Sequence, residues 1–502
     1  MAEGQQEIEA FRALQARLAG AWPHLVADRT APRTVLVLPS LSFDQDMLSR
    51  VAGAHHYEER LLSQLMLLRL PRTELIYVTS TPIPPDIIDY YLHLLPGVPT
   101  AHARARLSLF ACEDSSPRPL TQKILERPRL VARLKAAVRF PETAHISAFA
   151  VTELERRLAL ALDLPLFGCD PELLPLGSKS GSRRIFREAG IAMADGAEDL
   201  ADLDEVAEAL AALRGRQPGL AKAVVKLNEG FGGEGNAIFR FEGAPDGRAL
   251  APWVRRRLAT LCFEAPGMTL DLYGEKLRSM GGIVEAWIEG ADKRSPSAQF
   301  RIDPLGAVAP VSTHDQLLGG ASGQIFLGCR FPADPAYAHD IQQLGLSAAR
   351  ALADKGVRGR VAIDFVSVPE GQRFRHVAIE ANIRKGGTTL PNQMLQFLLD
   401  GTYDPETARY VTPAGQPVAY VATDNLASSA YRGLLPHDLV EILVLNGLHF
   451  NAAGSEGVAF HLIGALSEFG KLGLVAIGAT PARAQALFDR TVAVLDSAVA
   501  AD

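Results

Sequence analysis

Two apolar runs, Val361-Ala-Ile-Asp364-Phe-Val and Val377-Ala-Ile-Glu380-Ala-Asn382-Ile-Arg384, read as neighbouring β-strands with polar and ionisable groups set inside them. Side chains alternate along a strand, so Glu380, Asn382 and Arg384 share one face, and a hairpin brings Asp364 beside them. Two carboxylates and an amide oxygen then converge in a low-dielectric sheet, where such groups are costly unless paired. This oxygen-rich set is the kind that Mg²⁺ shares with phosphate oxygens, and Arg384 is a planar cation suited to a carboxylate or phosphate. Taken alone, the same residues fit strand-end ion pairs equally well, so the neighbourhood has to decide.

Upstream, Val224-Val-Lys226-Leu-Asn-Glu-Gly230-Phe-Gly232-Gly233-Glu-Gly235-Asn236 predicts a lysine-bearing strand, a glycine-rich turn and a returning strand. Glycines let backbone N–H groups approach phosphate oxygens, while Lys226 supplies a point charge. The run is not GxxxxGK[ST], and no GxGxxG opens a helix after the first strand, so P-loop and Rossmann readings fail. A glycine hairpin without a ligand is the plain alternative. Lys179, in Gly177-Ser-Lys-Ser-Gly-Ser182, is a second candidate for phosphate. Val284-Glu285-Ala-Trp-Ile288-Glu-Gly290-Ala-Asp292 is an extended segment whose backbone can meet an adenine edge, with an acid a turn later for ribose hydroxyls.

These stretches sit in a chain of 502 residues, about three domains' worth. Strands at Val35–Pro39 and Leu75–Thr79 alternate with helical patterns at Tyr57–Arg69, Ile87–Leu95, Leu120–Val138 and Thr152–Leu162, an α/β opening. Loops near Phe167–Pro175 and Gly401–Gln416 suggest domains at 1–168, 169–402 and 403–502. The formal charge of −6 provides no global field for nucleic acid. No basic-then-apolar leader and no membrane-length apolar run is seen, so a cytoplasmic protein without a membrane partner is expected. The four cysteines lack paired spacing, which signals neither a zinc cluster nor a disulfide framework.

In order, the four elements resemble the ATP-grasp fold over about residues 170–400. The resemblance implies that Lys179 and Lys226 contact phosphates and that Gly230, Gly232, Gly233 and Gly235 belong to a lid. It implies that Glu285, Ala286 and Ile288 form the adenine hinge, with Asp292 at the ribose. Asp364, Glu380 and Asn382 match magnesium ligands, Glu380 bridging two ions, and Arg384 matches an arginine that steadies the carboxylate or acyl phosphate. Some ligases of this fold carry an arginine two positions before the first metal Asp; here Ala362 stands there, and Arg301 or Arg360 is the substitute.

The flanks extend the likeness. Leu38-Pro-Ser-Leu-Ser-Phe-Asp44, His55-His-Tyr-Glu-Glu-Arg60 and Ser116-Pro-Arg-Pro-Leu120 resemble the pre-ATP-grasp domain of the pheganomycin-type peptide ligase family. Tyr420-Val-Ala-Thr-Asp-Asn425, Tyr431-Arg-Gly-Leu-Leu-Pro436 and Phe460-His-Leu-Ile-Gly-Ala-Leu-Ser-Glu-Phe-Gly-Lys471 are similar to its small C-terminal domain. The expected fold is therefore α/β: an ATP-grasp core with an N-terminal pre-ATP-grasp domain and a small C-terminal α/β domain. The implied activity is ATP-dependent ligation of a small-molecule or peptide carboxylate to an amine through an acyl phosphate, using ATP and Mg²⁺ and releasing ADP and phosphate. Arg384, Arg301 and Lys226 are the expected catalytic cations. A bicarbonate-dependent carboxylase and a non-catalytic ATP-binding module are the alternatives, and a homodimer is the commonest assembly. His55, His56, His437 and His461 are candidates for substrate contact, packed or surface histidines being more frequent.

Overall fold

The computed structural model describes residues 2–42, 51–230, 235–265, 267–319, 323 and 325–500. Among these residues the strands form three sheets, taken in chain order. The first holds β1 (Arg33–Leu38), β2 (Thr73–Thr79), β3 (Leu107–Ala111) and β4 (His145–Ala148), parallel and ordered β3-β2-β1-β4. β1 is buried along its whole length, as expected for a parallel strand covered on both faces. The helix Glu153–Leu162 starts where the sequence signals it: Thr152 Oγ1 accepts from the Leu154 N–H, and Glu155 reaches back to the Thr152 N–H at 2.8 Å.

Two expected helices differ. Leu120–Val138 is two helices, Leu120–Leu125 and Pro128–Ala137, because Pro128 lacks an N–H for the ladder and serves instead as the first residue of a new helix. The stretch Ala54–Arg69 winds in tight 3₁₀ turns rather than an α-helix, and Tyr57 to Gln64 are all buried.

The second sheet, β5 (Gly196–Leu200), β6 (Lys222–Leu227), β7 (Asn236–Arg240), β8 (Cys262–Phe263) and β9 (Gly282–Ala286), is antiparallel in the order β5-β9-β6-β7-β8. Its core includes Val206, Leu210 and Leu213 of the helix Leu203–Arg216 and Tyr273 and Leu277 of Leu270–Met280.

The third sheet has ten strands: β10 (Pro296–Ile302), β11 (Val308–Gly319), β12 (Ile325–Phe331), β13 (Gly359–Glu370), β14 (Arg373–Asn382), β15 (Thr402–Asp404), β16 (Arg409–Val411), β17 (Pro417–Ala427), β18 (Gly457–His461) and β19 (Lys471–Gly478). The path runs β14-β13-β10-β11-β12-β17, and β17 also pairs with β16 and β19. Strands on either side of residue 402 thus share one sheet through β12 and β17. A single apolar core through Leu61, Leu65, Tyr91, Phe397, Tyr420 and Phe460 joins N-terminal, central and C-terminal segments. Among the described residues no helix is long and apolar enough to cross a membrane.

Lys385, just past β14, ties this sheet to β4 by donating to the Ala148 carbonyl and, at 3.5 Å, to Ser147 Oγ. Burial, with Arg360 nearby, pulls its ammonium down from 10.5 to about 7. Between those values the unfolded chain holds a proton that the folded one has released, so this residue makes stability rise with pH from about 7 towards 10. Lys385→Met should flatten that part of the profile, as read from urea midpoints across the range; an unchanged slope would mean that Lys385 stays charged when folded.

Candidate active site

The second and third sheets face each other across a cleft of about 1170 Å³ lined by Lys179, Lys226, Glu285, Asp364, Glu380, Asn382 and Arg384. On the floor, β13 and β14 pair antiparallel with Asp364 opposite Glu380 and Ala362 opposite Asn382, so the three side chains share a face as alternation demands. A bulge follows this point in the ladder, with Phe365 paired to Ala378 rather than to Ile379. Asn382 Nδ2 donates to Asp364 Oδ2 at 3.1 Å, which leaves the amide oxygen as the group Asn382 can offer a cation.

The floor is electrostatically loaded. Burial, and then the neighbouring Glu380, push the Asp364 carboxyl up to about 6, partly offset by the charges of Lys179 and Arg384. Glu380 is pushed up by burial, but the Lys179 ammonium, 2.5 Å from Oε1, outweighs this and holds it below the usual carboxylate range. Burial lowers Arg384, while Glu380 and Asp364 act to raise it; its NH1 donates to the Lys385 carbonyl at 3.1 Å. Two opposed carboxylates and an amide oxygen are hard donors, a fit for Mg²⁺.

Lys179 is set in place by its helix, Lys179–Glu188. Ser178 Oγ caps it by accepting from the Gly181 N–H, and the Ser180 N–H and hydroxyl both donate to Asn228 Oδ1 at the start of the glycine turn. Ser182 Oγ accepts from the Ala381 N–H of β14 at 3.0 Å, so one helix links both walls. A side chain at Gly181 would bring a Cβ within 2.0 Å of the Pro175 carbonyl oxygen, closing off that packing.

In the other wall Lys226 is buried on β6 with Nζ 2.7 Å from Glu285 Oε2, and Arg183 NH1 lies 2.6 Å from Glu285 Oε1. Glu285 is only 2% exposed, and these two cations offset the cost of burying its carboxylate. Glu285, Ala286 and Ile288 all line the cleft, and the Ala286 N–H is committed to the Asp195 carbonyl at 2.8 Å. Trp287 lies beside them with Lys293 Nζ 4.6 Å from its ring centroid. Gly230 and Gly235 line the mouth, whereas Gly232 and Gly233 lie outside the described residues.

Two expected residues are not brought to the cluster. Asp292 is exposed in a turn with φ 55°, outside the residues lining the cleft. Arg301 is also exposed; Asp364 pairs with Ser297, four residues back along β10, which at about 3.3 Å per residue is roughly 13 Å away. Arg360, opposite Arg301, is half-buried and likewise outside the lining. Arg384 is therefore the candidate arginine nearest the acidic residues. None of His55, His56, His437 and His461 lines this cleft.

Other lining residues come from distant segments. Tyr57, Arg60 and Phe149 belong to the N-terminal part and Asp424, Asn425 and Lys471 to the C-terminal part. Arg60 NH1 donates to Asp424 Oδ2 at 2.7 Å, and Lys471 Nζ to the Tyr57 hydroxyl at 2.5 Å. Several of these lie in the flanking motifs, but composition and spacing assign them no chemistry.

The chain matches two described families: "IQCH-like, ATP-grasp" over residues 173–242 and 257–406, and "PGM1 C-terminal domain" over residues 438–491. It is 30% identical over 467 residues to the L-propargylglycine–L-glutamate ligase of Streptantibioticus cattleyicolor, covering 89% of this chain and 91% of that protein. It is 24% identical over 458 residues to IQ motif-containing protein H of Danio rerio, covering 82% of this chain but 43% of that longer protein. In fold it is similar to the biotin carboxylase domain of the 2-oxoglutarate carboxylase of Hydrogenobacter thermophilus, solved with MgADP, ADP and bicarbonate. The TM-score is 0.54 at 15% identity, over 89% of this chain and 86% of that one.

Proposed function

The chain belongs to the ATP-grasp ligases, the family of the L-propargylglycine–L-glutamate ligase, and from that membership we propose how its cleft joins a carboxylate to an amine. The observation that carries the reading is the placement of Asp364, Glu380 and Asn382 opposite Lys226 in one cleft, with Lys179 bridging the two sides. In this reading the segment 169–402 binds ATP, while 1–168 and 403–502 close the substrate end.

A carboxylate oxygen of the acid substrate attacks the γ-phosphorus of ATP, the bond to the β-phosphate oxygen breaks, and ADP leaves. The amine attacks the acyl carbon, the carbon–oxygen bond to phosphate breaks, and the amine nitrogen gives up a proton as the amide forms. Asp364, Glu380 and Asn382 would hold Mg²⁺, which when bound neutralises phosphate charge. Lys226 and Lys179 neutralise phosphoryl oxygens, and Arg384 faces the charge that develops on the acyl phosphate. Water has to be kept from that hydrolysable species. Substrates are small-molecule or peptide acids and amines, amino acids being the first class to examine given the relative's name.

The test is a screen of amino acids and short peptides, in pairs, for stimulated ADP release, with mass spectrometry of the products. A product whose mass equals the sum of the two substrates less one water is expected. ADP release that depends strictly on bicarbonate, or nucleotide binding without ADP release for any pair, would overturn the proposal.

A further inference from the structure

Outside the cleft, His55, His56 and Glu468 each present one ligand atom, and these atoms lie within 4.8 Å of one another. The two histidines open the 3₁₀ stretch Ala54–Arg69, while Glu468 comes from the short helix Leu466–Phe469 near the other end of the chain. The two imidazole rings are 4.1 Å apart between centroids, and both pack edge-on against Phe469.

What lies behind His56 sets it apart from an ordinary surface histidine. Its Nδ1 is 3.3 Å from Glu59 Oε1, and Glu59 is buried, with Oε2 accepting from the Gly464 N–H at 3.0 Å. A carboxylate only accepts, so Nδ1 carries the hydrogen and Nε2 keeps its lone pair. That second nitrogen is 4.0 Å from Glu468 Oε2. The gap is too long for a hydrogen bond. It is close to the roughly 3.3 Å between two ligands of one tetrahedral ion with bonds of about 2.0 Å. The Glu468 side chain is 66% exposed and can swing through the difference.

The chain keeps room for this carboxylate–imidazole pair. A Cβ on Gly464 would stand 2.1 Å from Glu59 Oε1 and 2.5 Å from His56 Nδ1, so glycine at that position leaves the pair in place. An imidazole whose far nitrogen is held by a buried carboxylate is oriented as a ligand and made more basic toward a metal. Two imidazole nitrogens and one carboxylate oxygen suit zinc, whereas Mg²⁺ takes oxygen donors. Glu468 directly, and Glu59 through the ring, balance a divalent charge.

We propose that His55, His56 and Glu468 bind a zinc ion, with Glu59 as the carboxylate that orients His56 and a fourth position left to water. The site is separate from the metal ligands of the cleft and does not rest on the ligase reading. Tyr57 and Lys471, which adjoin these ligands in sequence, line the cleft and are joined by the bond from Lys471 Nζ to the Tyr57 hydroxyl. The ion therefore clamps N-terminal and C-terminal segments together behind that wall.

The test uses the full chain, stripped with chelator and returned to buffer with excess Mg²⁺, which fills hard oxygen sites. Zn²⁺ is titrated in competition with a chromogenic chelator, and Co²⁺ is added separately for its visible spectrum. Wild type should take up one zinc and melt later as it does so, because only the folded chain brings the three ligands together. Its Co²⁺ form should lack the charge-transfer band that thiolate ligands give. Glu468→Ala, an exposed change, should melt like wild type without zinc and lose both the uptake and the shift. His56→Ala should lose the uptake as well. Glu59→Gln keeps all three ligands and should weaken binding on the order of 10- to 100-fold, as changes behind a ligand do. Asp364→Asn should bind zinc as wild type does. No uptake by wild type would mean that His56 meets its two carboxylates through protons alone, and overturns the site. Uptake that survives Glu468→Ala, disappears with Asp364→Asn or brings a thiolate band overturns it too.

Discussion

Asp364→Asn is expected to stabilise the metal-free protein at neutral pH while lowering ligase turnover roughly 10³-fold, because a carboxylate charge worth several kcal/mol to the metal-assisted step is removed. The stability half follows from the electrostatics of the floor. Asp364 titrates near 6 in the folded chain against 3.8 in its ordinary state, through burial and the facing Glu380. As pH rises from about 4 to 6, the unfolded chain has already lost this proton and the folded chain has not, so wild-type stability falls across that window. Asparagine has no such proton, and its amide oxygen can still accept from Asn382 Nδ2. The variant's advantage should grow from pH 4 to 6 and persist above it. Glu380→Gln should behave oppositely in stability and alike in activity. Its carboxylate is held below the usual range by Lys179, so the ion pair adds stability above the ordinary value and loses it as pH falls. At neutral pH that variant should melt earlier than wild type. Thermal melts without magnesium, set beside ADP release, check both; wild-type turnover in either variant, or stability shifts of the same sign, would remove these residues from the proposed metal site.

The floor of the cleft was legible because alternation is a local rule: Asp364, Glu380 and Asn382 lie within two adjacent strands, and their register follows from the buried apolar residues between them. Pro128 was equally local, yet the apolar periodicity of Leu120–Val138 masked the break it makes. β11 escapes sequence reading because Thr313-His-Asp-Gln-Leu-Leu-Gly319 mixes polar and apolar residues with no clear period, Thr313 and His314 being fully buried while Asp315 to Leu318 line the cleft. Arg301 shows another limit. It lies on β10, which pairs with β13, but how far along the strand it falls from Asp364 depends on pairing register, which single-strand patterns do not encode. Arg60 and Asp424 are 364 residues apart, and Lys471 and Tyr57 are 414 apart. Contacts at such separation leave no periodic trace, so their convergence appears only once the sheets and cores are assembled.

Lys226→Ala should weaken ATP binding by roughly 10- to 100-fold, the worth of a charge-assisted contact to phosphate. The structure gives the lysine a competing partner, Glu285, whose other oxygen is held by Arg183. Phosphate therefore has to draw Lys226 from an ion pair already made, and the net gain is smaller than for an unpaired lysine. Glu285→Gln relaxes that competition: it should bind ATP at least as tightly as wild type while melting earlier, since Arg183 then keeps only Glu198 as a charged partner. The two substitutions share one contact, so their effects on ATP affinity should not add. Calorimetric titration with ATP, ADP and AMP locates the contact along the phosphate chain. A lysine on the outer phosphates predicts the largest loss for ATP and little for AMP; the same affinity for all three nucleotides in wild type and Lys226→Ala would place the phosphate site elsewhere in the cleft.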